Sequence, residues 1–416
     1  MSDTRRKTIL ICDDQPSTER IWENRLKGVP GLADHFNIEV MEPKELLKAT
    51  KGLEQRRSKA RDQKSQKIVS ENDENALEKI DTASVLILDY DLLELAAEYY
   101  QTGEEIAYLA RCYSTCSLII ALNQFDHGSI AFDLRMTGHL ESFADLNVGD
   151  PALSIKGIWD PKWMLSEEGF RPWAWPLIPQ AIEKYERRVR EIVAKLDEPI
   201  LTHLQFPEDV IDSMSRTVLE FITASDDPMK TTFRMFAESA EKGLGKGLRR
   251  KDRAPSDEAL ARVAAARVSH WLEYLVLPGQ HILVDAPHLV ARYPSLLLED
   301  KEDINSWNKT VSLGNEANGI KIDILEPFRF AQNNWLSRPA WYWHSVSQCE
   351  AIVEVQDPWS AKSPGFVFCE DTSTFAPKDQ VQEFVSDLGF MSSPFTRRFV
   401  KKLEDVVYKP TVRFSI

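Results

Sequence analysis

The chain has 416 residues, too many for one ordinary hydrophobic core, so two or three domains are expected. With 43% hydrophobic and 10% aromatic residues it can fill those cores, which excludes disorder as its general state. Acidic residues outnumber basic ones 65 to 51, and a formal charge of -14 excludes indiscriminate attraction to nucleic acid over the whole surface.

No apolar run is long enough to cross a bilayer, and "MSDTRRKTILICDD" passes from a charged start into a strand without a signal-peptide cleavage pattern. A soluble, cytoplasmic protein with no membrane partner is expected. The five cysteines, Cys12, Cys112, Cys116, Cys349 and Cys369, have no regular spacing and read as reduced, buried thiols.

The first third alternates strand and helix signals. "KTILICD" predicts a short apolar strand, "PSTERIWENRLKGV" a helix opened by Pro and Ser/Thr, and "FNIEVME" a second strand. A long polar helical stretch follows, with Lys and Arg crowded between Lys44 and Lys67. "SVLILDY" is the third strand, "GEEIAYLARCYS" a helix, "SLIIALN" the fourth strand and "SFADLNV" a fifth. Regular alternation implies an α/β fold with a parallel sheet, whose ligand-binding edge lies beyond the carboxyl ends of the strands. Asp13, Asp14 and Asp89 would fall on that edge.

From residue 151 to 278 the sequence predicts a connector dense in Trp and Pro, with Trp159, Trp163, Trp173 and Trp175, and then a helical domain. Its helices are expected in "PQAIEKYERRVREIVAKL", "PEDVIDSMSRTVLEFITA", "MKTTFRMFAESAE" and "SDEALARVAAARVSHWLEYLVL". Residues 279 to 416 read as a mixed α/β domain, with strands in "GIKIDIL", "AIVEVQ" and "GFVFCED" and a terminal helix in "SPFTRRFVKKLEDVVY".

Three carboxylates on one sheet edge repel one another, and their ionised forms need a cation between them. Magnesium, a hard ion with oxygen ligands, suits them better than zinc. With the charge offset, one carboxylate can attack a phosphoryl group and become an acyl phosphate. The plain alternative is that Asp13, Asp14, Asp89 and Asp91 end strands or cap helices.

On these residues the segment from 7 to 150 resembles the receiver domain of bacterial response regulators. The resemblance implies a five-stranded, doubly wound parallel sheet with an insertion near residues 44–70. It gives Asp13 and Asp14 of "ICDD" the role of Mg2+ ligands. In "LILDYDL" it makes Asp89 the phosphoacceptor and a metal ligand, places Leu92 at the hydrophobic position behind it, and brings the backbone carbonyl of Asp91 to the metal. "TGEE" at Thr102 and Gly103 looks like the opening of the third receiver helix. The match has departures. Asn123 stands where receivers usually carry Ser or Thr, and the expected Lys-Pro after the fifth strand is absent, with Lys156 the nearest candidate. What the resemblance implies is a signalling protein, phosphorylated by a partner histidine kinase, with a homodimer as a further possibility.

Other stretches carry weaker signals. "KGLGKGLRRKDR", Lys242 to Arg253, could track phosphates of nucleic acid but lacks Walker A spacing, and a solvated loop is the simpler reading. His281, Asp285 and His288 lie close in sequence but too few for a metal site. His344 and Cys349 read as packing rather than a nucleophile pair. Asp323, Glu354, Glu370 and Asp371 could form a nuclease-like acid set, which would make the C-terminal region a receiver-gated effector enzyme. A receiver fold that only binds partners, as a phosphorylation-independent scaffold, is the third alternative.

Overall fold

In the computed structural model the described residues are 7–29, 32–65, 79–89, 92, 102–123, 143–149, 178–225, 227–243, 256–277, 279–298, 303–310, 319–332, 334–353, 365–369, 372, 374–384 and 398–401. The N-terminal strands are β1 (Lys7–Cys12), β2 (Phe36–Met41), β3 (Ala83–Asp89) and β4 (Leu118–Asn123). They form a parallel sheet in the order β2-β1-β3-β4, and the four-residue β5 (Leu146–Gly149) pairs in parallel with β4 from Ile120↔Leu146 to Asn123↔Gly149. Every β1 residue after Lys7 is buried, as expected of a strand covered on both faces. Edge strand β2 instead exposes Asn37 and Glu39.

The sheet's cover comes from three helices: α1 (Pro16–Lys27), α2 (Pro43–Ser65) and α3 (Gly103–Tyr113). Proline in the first turn starts α1 where a missing N–H costs nothing, and Thr102 caps α3 by accepting from Glu105 N at 3.2 Å. Alternate strand residues Leu10, Cys12, Leu86, Leu88, Ile119 and Ala121 face one apolar core shared with Leu46, Leu53, Ile106 and Leu109. That core continues without a break into α4 (Ile178–Val193) and α5 (Asp257–Trp271), and on to Trp335 and Tyr342.

Helix α5 is buried nearly all round. Its small residues, Ala259, Ala261, Ala264 and Ala265, are fully buried and let α3 and α4 approach closely. Ser256 caps its start by accepting from Ala259 N, and a π-helical turn at Leu272–Val276 continues its end. "PEDVIDSMSRTVLEFITA" forms two short helices, Glu208–Asp212 and Arg216–Ile222, broken where Ser215 caps the second.

Where the helical layer meets the sheet, cations and aromatic rings alternate. Arg111, at the end of α3 and with no exposure, donates to Ser117 O at 3.1 Å, to Phe143 O at 3.4 Å and to the Asp145 carboxylate. Its guanidinium lies 4.7 Å from the Tyr185 ring centre, and Arg188 sits between Tyr185 and Trp335. Arg267 lies over Phe143 and Phe221, while Arg262 donates to Cys112 O. This seam is at the start of β4, the opposite end of the sheet from Asp89.

A second core holds Val284, Leu289, Trp307, Trp341, Phe368 and Phe375. Beside it are a two-stranded sheet, β6 (Leu283–Asp285) with β7 (Ala340–Tyr342), and a four-stranded mixed sheet. The latter runs β10-β11-β8-β9, from β8 (Phe366–Cys369), β9 (Thr374–Pro377), β10 (Gln382–Phe384) and β11 (Arg398–Val400). Among the described residues, "GFVFCED" alone of the expected C-terminal strands forms as predicted, over Phe366–Cys369. "GIKIDIL" contributes one bridge, Leu297↔Ile320, and then a helical turn at Ile322–Leu325, its short apolar run being compatible with either period. Residues 351–352 of "AIVEVQ" form a turn and bend, and residues 354–356 lie outside the described residues. Within the predicted terminal helix the described residues Arg398–Val400 are a strand, because pairing with β10 and β8 and burial of Val400 override local helix preference, and the rest of that stretch apart from Lys401 lies outside the described residues. The Trp-rich connector, residues 151–177, lies outside the described residues.

Arg111→Ala should destabilise the protein by about 3–5 kcal/mol in urea unfolding, because Asp145 would keep a buried charge without its partner. An effect under about 1 kcal/mol would remove the seam from any structural role. His270, buried on α5, has its pKa lowered to about 4, chiefly by burial and then by Arg111, Arg267 and Arg188 acting against Asp145. The unfolded chain therefore binds more protons on this group between about pH 4 and 6.5, and stability should fall as pH drops through that window. Urea titrations of wild type and His270→Gln should diverge there by roughly 3 kcal/mol, with the wild type the steeper.

Candidate metal centre

β1 and β3 are neighbours, with Cys12 opposite Leu88, so the residues that follow or close them meet on one rim. Asp13 and Asp14 leave β1 there, and Asp89 ends β3. Their side chains are buried, at 3%, 4% and 4% exposure. One carboxylate oxygen from each lies within 4.8 Å of the others, the one such cluster among the described residues. Convergence is set by the backbone: two parallel strands in register bring three acids together without any long-range loop.

The turn into α1 supports the site. Asp13 Oδ1 accepts from Gln15 N at 2.8 Å, and Glu19 Oε1 accepts from Asp13 N at 3.3 Å. Glu19, 1% exposed, has its pKa raised to about 7, first by burial and further by the Asp13 and Glu42 charges. Lys79, which donates to Val40 O at 3.0 Å and Glu45 Oε2 at 2.9 Å, places a positive charge whose field reaches Glu19 and Cys12. Burial, then Glu19, push the Cys12 thiol well above its ordinary pKa, and its side chain belongs to the apolar core.

Asp13, Asp14 and Asp89 together offer only carboxylate oxygens as donors. A hard divalent cation with oxygen ligands and waters fits this donor set, whereas a soft metal would want sulfur or imidazole. Glu19 and Lys79 were missed by sequence reasoning. The first had a signal, an acid one turn into the helix that leaves "DD"; the second had none, since Lys79 reaches β2 only through the fold.

Asn123 closes β4 one position beyond Leu122, which pairs with Asp89, so its backbone is on the same rim; its side chain lies outside the described residues. Asp91 and Lys156 also lie outside them, as does the loop from Lys242 to Arg253 beyond Gly243. Leu92, behind Asp89, is buried. Asp285 and His288 meet, while His281 is exposed. His344 Nε2 faces Gln348 at 3.0 Å and Asp209 at 3.7 Å, and Cys349 packs against the second apolar core. Asp323 is exposed, and Glu354, Glu370 and Asp371 lie outside the described residues. All five cysteines are free. Among the described residues no helix is long and apolar enough to cross a membrane.

No protein-family model matches the chain, and no curated protein matches it. The site therefore rests on its own geometry.

Asp89→Asn removes one of three mutually repelling charges. In EDTA it should raise stability by about 1–3 kcal/mol in urea unfolding. Lower stability than wild type under those conditions would mean that the three carboxylates do not repel as their spacing requires.

Proposed function

We propose that the N-terminal sheet is an atypical receiver and that the chain is a response-regulator-like signalling protein. In this reading Asp13, Asp14, Asp89 and the Asp91 carbonyl hold Mg2+, and a partner histidine kinase delivers a phosphoryl group to Asp89. The observation that carries it is the buried meeting of Asp13, Asp14 and Asp89 at the carboxyl ends of adjacent parallel strands. The bound cation would offset the charge of the incoming phosphoryl oxygens. The protein's part is to hold the Asp89 carboxylate as nucleophile while Asp13 and Asp14 stay ionised beside it.

Phosphorylation would add roughly -1.5 to -2 charges at this rim. Helix α3 is the element to respond. It starts at Thr102 and Gly103, packs on β3 and β4, and ends at Arg111 in the seam with α4 and α5. A shift of α3 would reach the helical layer through Arg111 and Tyr185. Asn123 replaces the usual hydroxyl residue; an amide can donate to a phosphoryl oxygen, but it offers no hydroxyl switch.

Magnesium with beryllofluoride mimics the acyl phosphate, and Trp22, one turn along α1 from Glu19 and 4% exposed, is a built-in reporter. Adding both should change the Trp fluorescence of wild type saturably and leave Asp89→Asn unchanged. No change in wild type, or the same change in Asp89→Asn, would count against Asp89 as phosphoacceptor.

A further inference from the structure

Beyond the receiver-like sheet, a separate cluster of polar groups gathers around Asp285, at the end of β6. The π-helical turn after α5 leads to Gln280, whose φ of 54° lies in the left-handed region that side chains rarely adopt. Gln280 is fully buried; its Oε1 accepts from Asp285 N at 2.9 Å, while its Nε2 has no hydrogen-bond partner.

Asp285, also fully buried, accepts at Oδ1 from the backbone N of His288 (3.3 Å) and from its Nδ1 (2.6 Å). A carboxylate only accepts, so Nδ1 carries the hydrogen and Nε2 is left as the basic nitrogen. Despite burial, His288 and Arg338 hold the Asp285 carboxyl well below the usual range, so it stays ionised. Its Oδ2 has no hydrogen-bond partner, with Arg338 3.6 Å away as an ion pair only.

Arg338 comes from the approach to β7, where Asp285 pairs with Ala340, and His288 from the helix that follows β6. Phe368 of β8 walls both: the Arg338 guanidinium lies 5.1 Å from its ring centre, and the His288 ring meets it edge-on at 6.3 Å. Among the described residues nothing hydrogen-bonds His288 Nε2 or the Arg338 guanidinium. The cluster thus offers two kinds of open position. Gln280 Nε2 and Arg338 need acceptors; His288 Nε2 and Asp285 Oδ2 need donors.

We propose that Gln280, Asp285, His288 and Arg338 form a second ligand site, one that takes a phosphate still bearing a P–OH at neutral pH, such as inorganic hydrogen phosphate. Its anionic oxygens would accept from Arg338 and Gln280, and its P–OH would donate to His288 Nε2 or Asp285 Oδ2. A carboxylate ligand, ionised at neutral pH, supplies no such donor. Asp285 orients the neutral His288 ring through Nδ1 and pairs with Arg338 without hydrogen-bonding its guanidinium.

The test uses the full chain, with long-range 1H–15N spectra of its histidines during titration with inorganic phosphate, and a parallel titration with acetate at equal ionic strength. The His288 Nε2 signal should move saturably with phosphate and not with acetate. Arg338→Gln should weaken the response about tenfold or more, and Asp89→Asn should leave it intact, which separates this site from the N-terminal acids. Circular dichroism reports folding of the variants, and Arg338→Lys, which keeps the charge but loses the fork, stands in with the same expected loss if the Gln variant does not fold. A silent His288, an equal response to acetate, or full binding in the Arg338 variant would overturn the proposal.

Discussion

Repulsion among Asp13, Asp14 and Asp89 is the constraint on which the N-terminal rim depends. Three carboxylates less than 5% exposed and within 4.8 Å of one another cannot all remain ionised without positive charge between them. Adjacent parallel strands hold them there, so relaxation of a side chain does not remove the strain. A cation seated among them would offset that repulsion. Stability of the sheet and occupancy of the rim are consequently linked: whatever binds among the acids also favours the folded chain.

The opposite end of the same sheet is constrained by cations instead. Arg111 and Asp145 tie α3, β4 and the start of β5 to α4, and each of Arg111, Arg188 and Arg267 lies over an aromatic ring. Because the apolar core passes unbroken from Leu10 and Leu88 to Trp271 and Trp335, the helical layer and the sheet share interior rather than merely touching. In the proposed reading, a change in α3 would be felt by the helical layer through packed side chains, which have discrete arrangements rather than a continuum.

Much of the N-terminal sheet was legible because it follows period and punctuation. "KTILICD", "FNIEVME", "SVLILDY" and "SLIIALN" each form the expected strand, and "GEEIAYLARCYS" the expected helix. The acids at strand ends were legible for the same reason, since a parallel sheet aligns carboxyl ends. Glu19 and Lys79 were not, because their place depends on how α1 and the turn before β3 lie over the rim. Nor was the strand at Arg398–Val400: "TRRFVKKLEDVV" has helical spacing, and only pairing with β8 and β10, distant in sequence, decides against it. The burial of Arg111 had no signal in the sequence, because only the fold brings Asp145 and Tyr185 around it.

Divalent-ion binding tests the central claim most directly. Manganese, which replaces magnesium at oxygen sites and is visible by electron paramagnetic resonance, should bind the full chain at one saturable site, be displaced by magnesium, and be lost in Asp13→Asn and Asp89→Asn. Binding that is unchanged in both variants, or absent from a folded wild-type protein, would contradict the account.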